Sequence, residues 1–124
     1  MVPSNAEGST WPTDLSYDPE RKSLAIAFES GETFALRAEY LRVESPSAEV
    51  QGHGGEKVII GGRRHVGILE IEPVGNYAVR IVFDDLHDTG IYSWRTLYEL
   101  GSEYEERWAL YLEALAQKAM SRDP

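Results

Sequence analysis

Apolar side chains fall at every second position through much of the chain. Leu15 and Tyr17 alternate with Asp14 and Ser16, and Leu24, Ile26 and Phe28 alternate with Ala25 and Ala27. This is the period of strands with one buried face. Asp18-Pro19-Glu20-Arg21 and Glu29-Ser30-Gly31-Glu32 supply reversals, and Phe34 and Leu36 continue on a third strand, so the pattern predicts a three-stranded antiparallel meander. From Ala38 to Glu44 the spacing becomes helical, and Ser45-Pro46 stops it because the residue before proline is pushed out of the α region.

Val58-Ile59-Ile60 reads as a short strand, and Val66 to Val74 as a longer one with Leu69, Ile71 and Pro73 on one face and Ile68 on the other. Pro73 marks that strand as an edge or a bulge. Gly75-Asn76 is a hairpin signal leading into Tyr77, Val79, Ile81 and Phe83, the clearest alternation in the sequence. Ile91, Tyr92 and Trp94 form a last strand, and Leu97, Tyr98 and Leu100 a short helix that Gly101 ends. Ser102 and Glu105 have capping-box spacing ahead of a helix whose apolar stripe is Tyr104, Trp108, Tyr111, Leu112 and Leu115. The elements add up to an α+β fold: a mainly antiparallel β domain over 11–101 with short helices, and an amphipathic helix over 102–120 packed on it. Residues 1–10 are expected to be a flexible tail and 121–124 a frayed end.

Length and charge narrow the functions open to this fold. At 124 residues the chain is one domain with room for a core. Its formal net charge of -9 repels phosphate backbones and anionic lipid, so neither nucleic acid nor membrane is an expected partner. Without cysteine there is no disulfide, thiolate metal site or cysteine nucleophile. No apolar run approaches a membrane span and no leader is evident, so a cytoplasmic protein is the expectation.

Candidate chemistry concentrates between Phe83 and Trp94. Asp84, Asp85, His87 and Asp88 bring three carboxylates and one imidazole into five positions. Such a set either holds iron or zinc or caps a turn through backbone hydrogen bonds, the commoner use of these residue types. His53 and His65 lie in Gly-rich loops, and Arg63-Arg64 either binds an anion or an acidic partner or forms a local ion pair. Tyr77, Tyr92 and Trp94 suggest an aromatic cage for a quaternary ammonium, or core packing. The residues two after His53, His65 and His87 are Gly55, Gly67 and Thr89, so the His-x-Asp/Glu pair of an iron oxygenase is missing. No G-x-S-x-G or P-loop pattern occurs.

Three ordered motifs carry a resemblance. They are Leu41-Arg42-x-x-Ser45-Pro46-Ser47-Ala48-Glu49, then Glu72-Pro73-Val74-Gly75-Asn76-Tyr77-Ala78, then His87-Asp88-x-Gly90-Ile91-Tyr92-Ser93-Trp94 followed by Leu97-Tyr98-x-Leu100-Gly101. Together they resemble the gamma-butyrobetaine hydroxylase-like N-terminal domain family, which includes small stand-alone bacterial proteins of unknown function. The resemblance implies a compact antiparallel β domain with short helices. It also implies a zinc site, held in the hydroxylases by three cysteines and one histidine, whose positions read here as Ser45, Ser47, Val50 and His87. Serine hydroxyls and valine do not replace thiolates for zinc, so that site is expected to be lost. Leu86 stands where the small relatives usually have glycine, which implies a different turn before His87.

The expected function is a non-catalytic binding module with a protein partner and no cofactor. One rival is an iron- or zinc-binding module centred on His87, Asp84, Asp85 and Asp88, with a link to iron-sulfur protein maturation. The other is a small enzyme using His87 as general base.

Overall fold

The alternating pattern is realised as two three-stranded antiparallel sheets that share one core. The structure, a computed structural model, describes residues 10–52 and 56–124. Strands β1 (Pro12–Asp18), β2 (Ser23–Phe28) and β3 (Thr33–Arg37) form the predicted meander in the order β1-β2-β3. Register places Leu15 and Phe34 on either side of Ile26, and Tyr17 and Leu36 on either side of Leu24, so the apolar positions form rows on one face. Asp18 accepts hydrogen bonds from the backbone N–H groups of Glu20 and Arg21, closing the first reversal.

Helix α1 (Ala38–Val43) follows without a loop and is buried at all six positions. Its two charged residues tolerate burial only through ion pairs, Glu39 with Arg122 at 2.7 Å and Arg42 with Asp85 at 2.7 Å. A single further turn, α2 (Ala48–Gln51), is capped by Ser47, whose side chain accepts from the Glu49 N–H.

The second sheet is β4 (Ile68–Val74), β5 (Ala78–Phe83) and β6 (Gly90–Ser93), in that order. β4 is an edge, which suits Pro73. A register shift between Ile68 and Glu70 corrects the expected facing: Ile68 and Ile71 pack on the core, while Leu69 is 62% exposed. An extra residue in one strand puts its neighbours on the opposite side from strict alternation. Val79, Ile81, Phe83 and Tyr92 from this sheet meet Leu24, Ile26, Phe28 and Leu36 from the first, with Tyr40 and Leu41 of α1 in the same cluster.

Four other expectations are corrected. Val58-Ile59-Ile60 forms no strand; Val58 donates one backbone bond to Val50, and Ile59 and Ile60 pack beside Tyr111 and Leu115. Gly101 does not end its helix, because α3 (Trp94–Ser102) runs past it and the ring of Phe34 occupies the space a side chain would need, 2.4 Å from an added Cβ. Trp94 therefore opens α3 rather than closing β6, with Ser93 capping it. The Ser102 capping box is absent: Glu103 sits between α3 and α4 (Tyr104–Gln117), and the Ser102 hydroxyl donates back to Glu99.

Along α4, Tyr111 and Leu115 are buried and Tyr104 and Trp108 pack on the core, but Leu112 is 41% exposed. The helix reaches the sheets through α1, with Tyr104 edge-on to Tyr40 at 4.8 Å and Val43 against Tyr111 and Leu115. At the C-terminus, Ser121 and Arg122 accept backbone bonds from Gly62 and Arg64, and Arg122 clamps Glu39. Among the described residues no helix is long and apolar enough to cross a membrane.

Candidate functional site

His87 enters the protein because of the turn before it. The β5–β6 connection is tight, with Phe83 N–H donating to the His87 carbonyl and Leu86 N–H to that of Phe83. Leu86 takes φ 73° and is 79% exposed. Leucine thus occupies the left-handed conformation that suits glycine. The turn drives the imidazole inward, leaving His87 buried.

There it meets the segment after α1. The Nε2 of His87 lies 2.9 Å from Ser45 Oγ and the Nδ1 lies 2.9 Å from Glu49 Oε1. A carboxylate only accepts, so Nδ1 carries the proton and donates to Glu49, and neutral Nε2 accepts from the Ser45 hydroxyl. Ser45 Oγ in turn accepts from the Ser47 N–H at 3.2 Å. Thr89 donates to Glu49 at 3.1 Å and stands 2.7 Å from Ser47 Oγ, which itself accepts from the Glu49 N–H at 3.1 Å. Ser45, Ser47, Glu49, His87 and Thr89 thus close into one hydrogen-bonded knot.

Burial disfavours the imidazolium and the Arg42 guanidinium opposes it further, so the pKa of His87 falls below its ordinary 6.5. The neighbouring Asp85 buttresses the turn, accepting from the His87 N–H at 3.2 Å and from Arg42 and Arg63 at 2.7 and 2.6 Å. Burial pushes its carboxyl upward, but those hydrogen bonds outweigh it and leave Asp85 below the usual carboxylate value.

The structure brings together only part of each predicted set. Ser45, Ser47 and His87 converge, with Val50 buried one turn along in α2. Asp85 touches the His87 backbone but spends its side chain on two arginines. Asp84 and Asp88 are exposed; Asp84 lies beside Gly67, and Asp88 points toward Arg80 at 3.5 Å. Among the described residues no three His, Asp or Glu side chains gather as a metal would need. The donor set does not fit the zinc of the resemblance either: it offers hydroxyls in place of thiolates, and both imidazole nitrogens already have partners.

The remaining candidates separate. His65 lies near the surface with its carbonyl accepting from Lys22, Arg63 joins the Asp85 pair, and Arg64 pairs with Asp123. His53 falls outside the described residues. Tyr77, Tyr92 and Trp94 make no cage: Tyr92 is buried with its hydroxyl on the Leu41 carbonyl, Trp94 donates to the Asn76 carbonyl, and Tyr77 is 57% exposed. Glu49, Thr89 and Arg42 carry the knot and its buttress without having been predicted. Their signal in the sequence is only that Arg42 and Glu49 belong to the Leu41–Glu49 motif.

The comparisons with known proteins agree with the fold. Residues 15–98 match the family model described as gamma-butyrobetaine hydroxylase-like, N-terminal. Two solution NMR structures are similar over 91% of this chain, one at 43% identity and TM-score 0.80 covering 90% of its own length, the other at 48% and 0.79 covering 85%. A crystal structure of a protein of unknown function from Acidithiobacillus ferrooxidans ATCC 23270, of the DUF971 family, is 34% identical with TM-score 0.67 over 77% of this chain and 98% of that one. No functionally curated protein matches. The chain carries at His87 a knot of hydroxyls and carboxylate, and it belongs to the gamma-butyrobetaine hydroxylase-like N-terminal domain family.

Proposed function

We propose that this protein is a non-catalytic interaction module in which the Ser45–His87–Glu49 knot does the structural work of a metal. The observation that carries the reading is that both imidazole nitrogens and every hydroxyl of the knot already have partners within the chain. Hydroxyl, imidazole and carboxylate follow one another in the order of a nucleophile, its base and an orienting acid. Yet Ser45 is fully buried, and a Cβ at Gly90 would stand 2.6 Å from its Oγ, so no substrate carbonyl reaches that atom. A group that bonds only its own neighbours ties the segment after α1 to the β5–β6 turn. The partner we assign is a protein, and the formal charge of -9 favours a basic one whose binding weakens with salt.

Elemental analysis of the full chain purified without added metal tests the reading against its metal rival. The expected result is no stoichiometric iron or zinc; one equivalent in the parent that disappears in His87→Ala overturns it. Exposure to a fluorophosphonate tests the enzyme rival. Ser45 is expected to stay unmodified, and labelling that requires His87 would establish a nucleophile.

A further inference from the structure

A second polar region, unconnected to the knot, is built differently. Arg21, Lys22, Arg37, Arg64 and Arg122 line one cavity of about 270 Å³, joined by His65. These are five of the chain's twelve lysines and arginines, gathered on a protein of formal charge -9, and only Glu20 and Glu39 among the lining residues are acidic. The cations come from the start of β2, the end of β3, the 64–65 segment and the C-terminal strap, so only the tertiary fold assembles them.

Pairing within the cavity is incomplete in charge. Glu39 at its floor is clamped by Arg122 through two bonds of 2.7 and 2.8 Å and faces Arg37 at 3.7 Å, one carboxylate against two guanidiniums. Lys22 gives its ammonium to a neutral acceptor, the His65 carbonyl at 2.6 Å. Arg64 is matched by Asp123, and Arg21 approaches Asp18 only to 3.8 Å with its side chain 85% exposed. Lys22 and the Arg37–Arg122 pair therefore hold positive charge that Glu39 alone does not cancel.

Two of the guanidiniums are also held in place. Arg37 lies 4.4 Å and Arg122 5.1 Å from the ring centre of Trp108, and Arg37 donates to the Tyr104 hydroxyl at 2.7 Å. Cations stacked on an aromatic face lose little further freedom when an anion arrives. Guanidinium forks match the oxygens of phosphate and carboxylate, and ammonium adds a point charge. Donors that approach from several elements suit a tetrahedral oxyanion, with acceptor atoms on every side, better than a planar carboxylate.

We propose that this cavity is a binding site for a phosphate dianion, free or as a small phosphate monoester, contacted by Lys22, Arg37 and Arg122. It is independent of the proposed function and stands or falls separately. The test is a titration of the ¹⁵N-labelled full chain with inorganic phosphate near neutral pH, against sodium chloride and sodium malonate at equal ionic strength. Saturable amide shifts centred on Lys22, Arg37 and His65 are expected with phosphate. Lys22→Gln should weaken them about fivefold, as loss of one charge-assisted hydrogen bond does, while Lys118→Gln should leave them unchanged. Unsaturated shifts equal to those in chloride, equal affinity for malonate, or indistinguishable Lys22→Gln and Lys118→Gln titrations would each overturn the assignment. A phosphate monoester that binds more tightly than phosphate at the same residues identifies the ester as the better ligand within the proposed class.

Discussion

The knot at His87 and the cavity above Glu39 are both built of polar side chains from segments far apart along the chain, yet they are opposite in construction. In the knot every nitrogen and hydroxyl of Ser45, Ser47, His87 and Thr89 has a partner from the chain itself. In the cavity, one buried carboxylate meets two guanidiniums and an ammonium rests on a carbonyl. A polar cluster whose nitrogens and hydroxyls are all paired within the chain stabilises the fold and leaves no donor free for a ligand. A cluster with surplus charge contributes less to folding and keeps donors for something else. The difference teaches that residue type does not assign a role here; partner accounting does.

The sharpest way to break that contrast is His87→Ala. Removing the ring leaves a void and strands the Ser45 hydroxyl in the interior, so a loss of about 3 kcal/mol is expected, whereas Lys22→Gln at the cavity should stay within about 0.5 kcal/mol. Urea denaturation of the two variants measures both, and equal losses would erase the distinction. Gly90→Ala attacks the knot sterically, since the new methyl would stand 2.6 Å from Ser45 Oγ and 3.0 Å from the Tyr92 ring. Overpacking of that kind costs about 2 kcal/mol, and a neutral result would mean that the knot has slack.

Acid sharpens the comparison further. The folded pKa of His87 lies below its ordinary 6.5, so the unfolded chain binds the extra proton more readily. The associated stability is present above pH 6.5 and is lost as pH falls from there through the folded pKa. Asp85, held below 3.8 by its arginines, adds a second loss that begins under that value. Thermal melts across this range should show both steps in the parent and only the lower one in His87→Gln; an unchanged upper step would place its origin elsewhere. The smallest expected effect has the opposite sign. Leu86→Gly relieves the left-handed backbone at 73° but adds freedom to the unfolded chain, for a net gain of about 0.5 kcal/mol, readable as a slightly raised melting temperature.

Local rules account for most of the fold. Period-two alternation and turn chemistry placed β1, β2, β3 and β5, because their core residues Leu15 and Tyr17, Leu24, Ile26 and Phe28, Phe34 and Leu36, and Val79, Ile81 and Phe83 fall at every second position. Where reading by alternation failed, a long-range contact overrode it. The bulge at Leu69 exchanges Ile68 for Leu69 on the core face of β4, Phe34 rather than helix termination explains Gly101, and Ile59 and Ile60 pack on α4 with no strand beside them. The candidate site was half visible. His87, Ser45 and Ser47 stand out by resemblance, but Glu49 and Thr89, which complete the knot, are ordinary surface types until the fold brings residues 45–49 against 87–89.

What the amino-acid sequence determined alone was the α+β class, the family, and the absence of thiolate chemistry, because alternation, motif order and composition are properties of neighbours along the chain. Which polar groups satisfy one another was decided only in three dimensions. The partners of His87 lie 38 to 42 positions away and Arg122 reaches Glu39 across 83. Hydrogen bonding and charge pairing act over a few ångströms of space, and no local pattern encodes which distant segments will be brought that close.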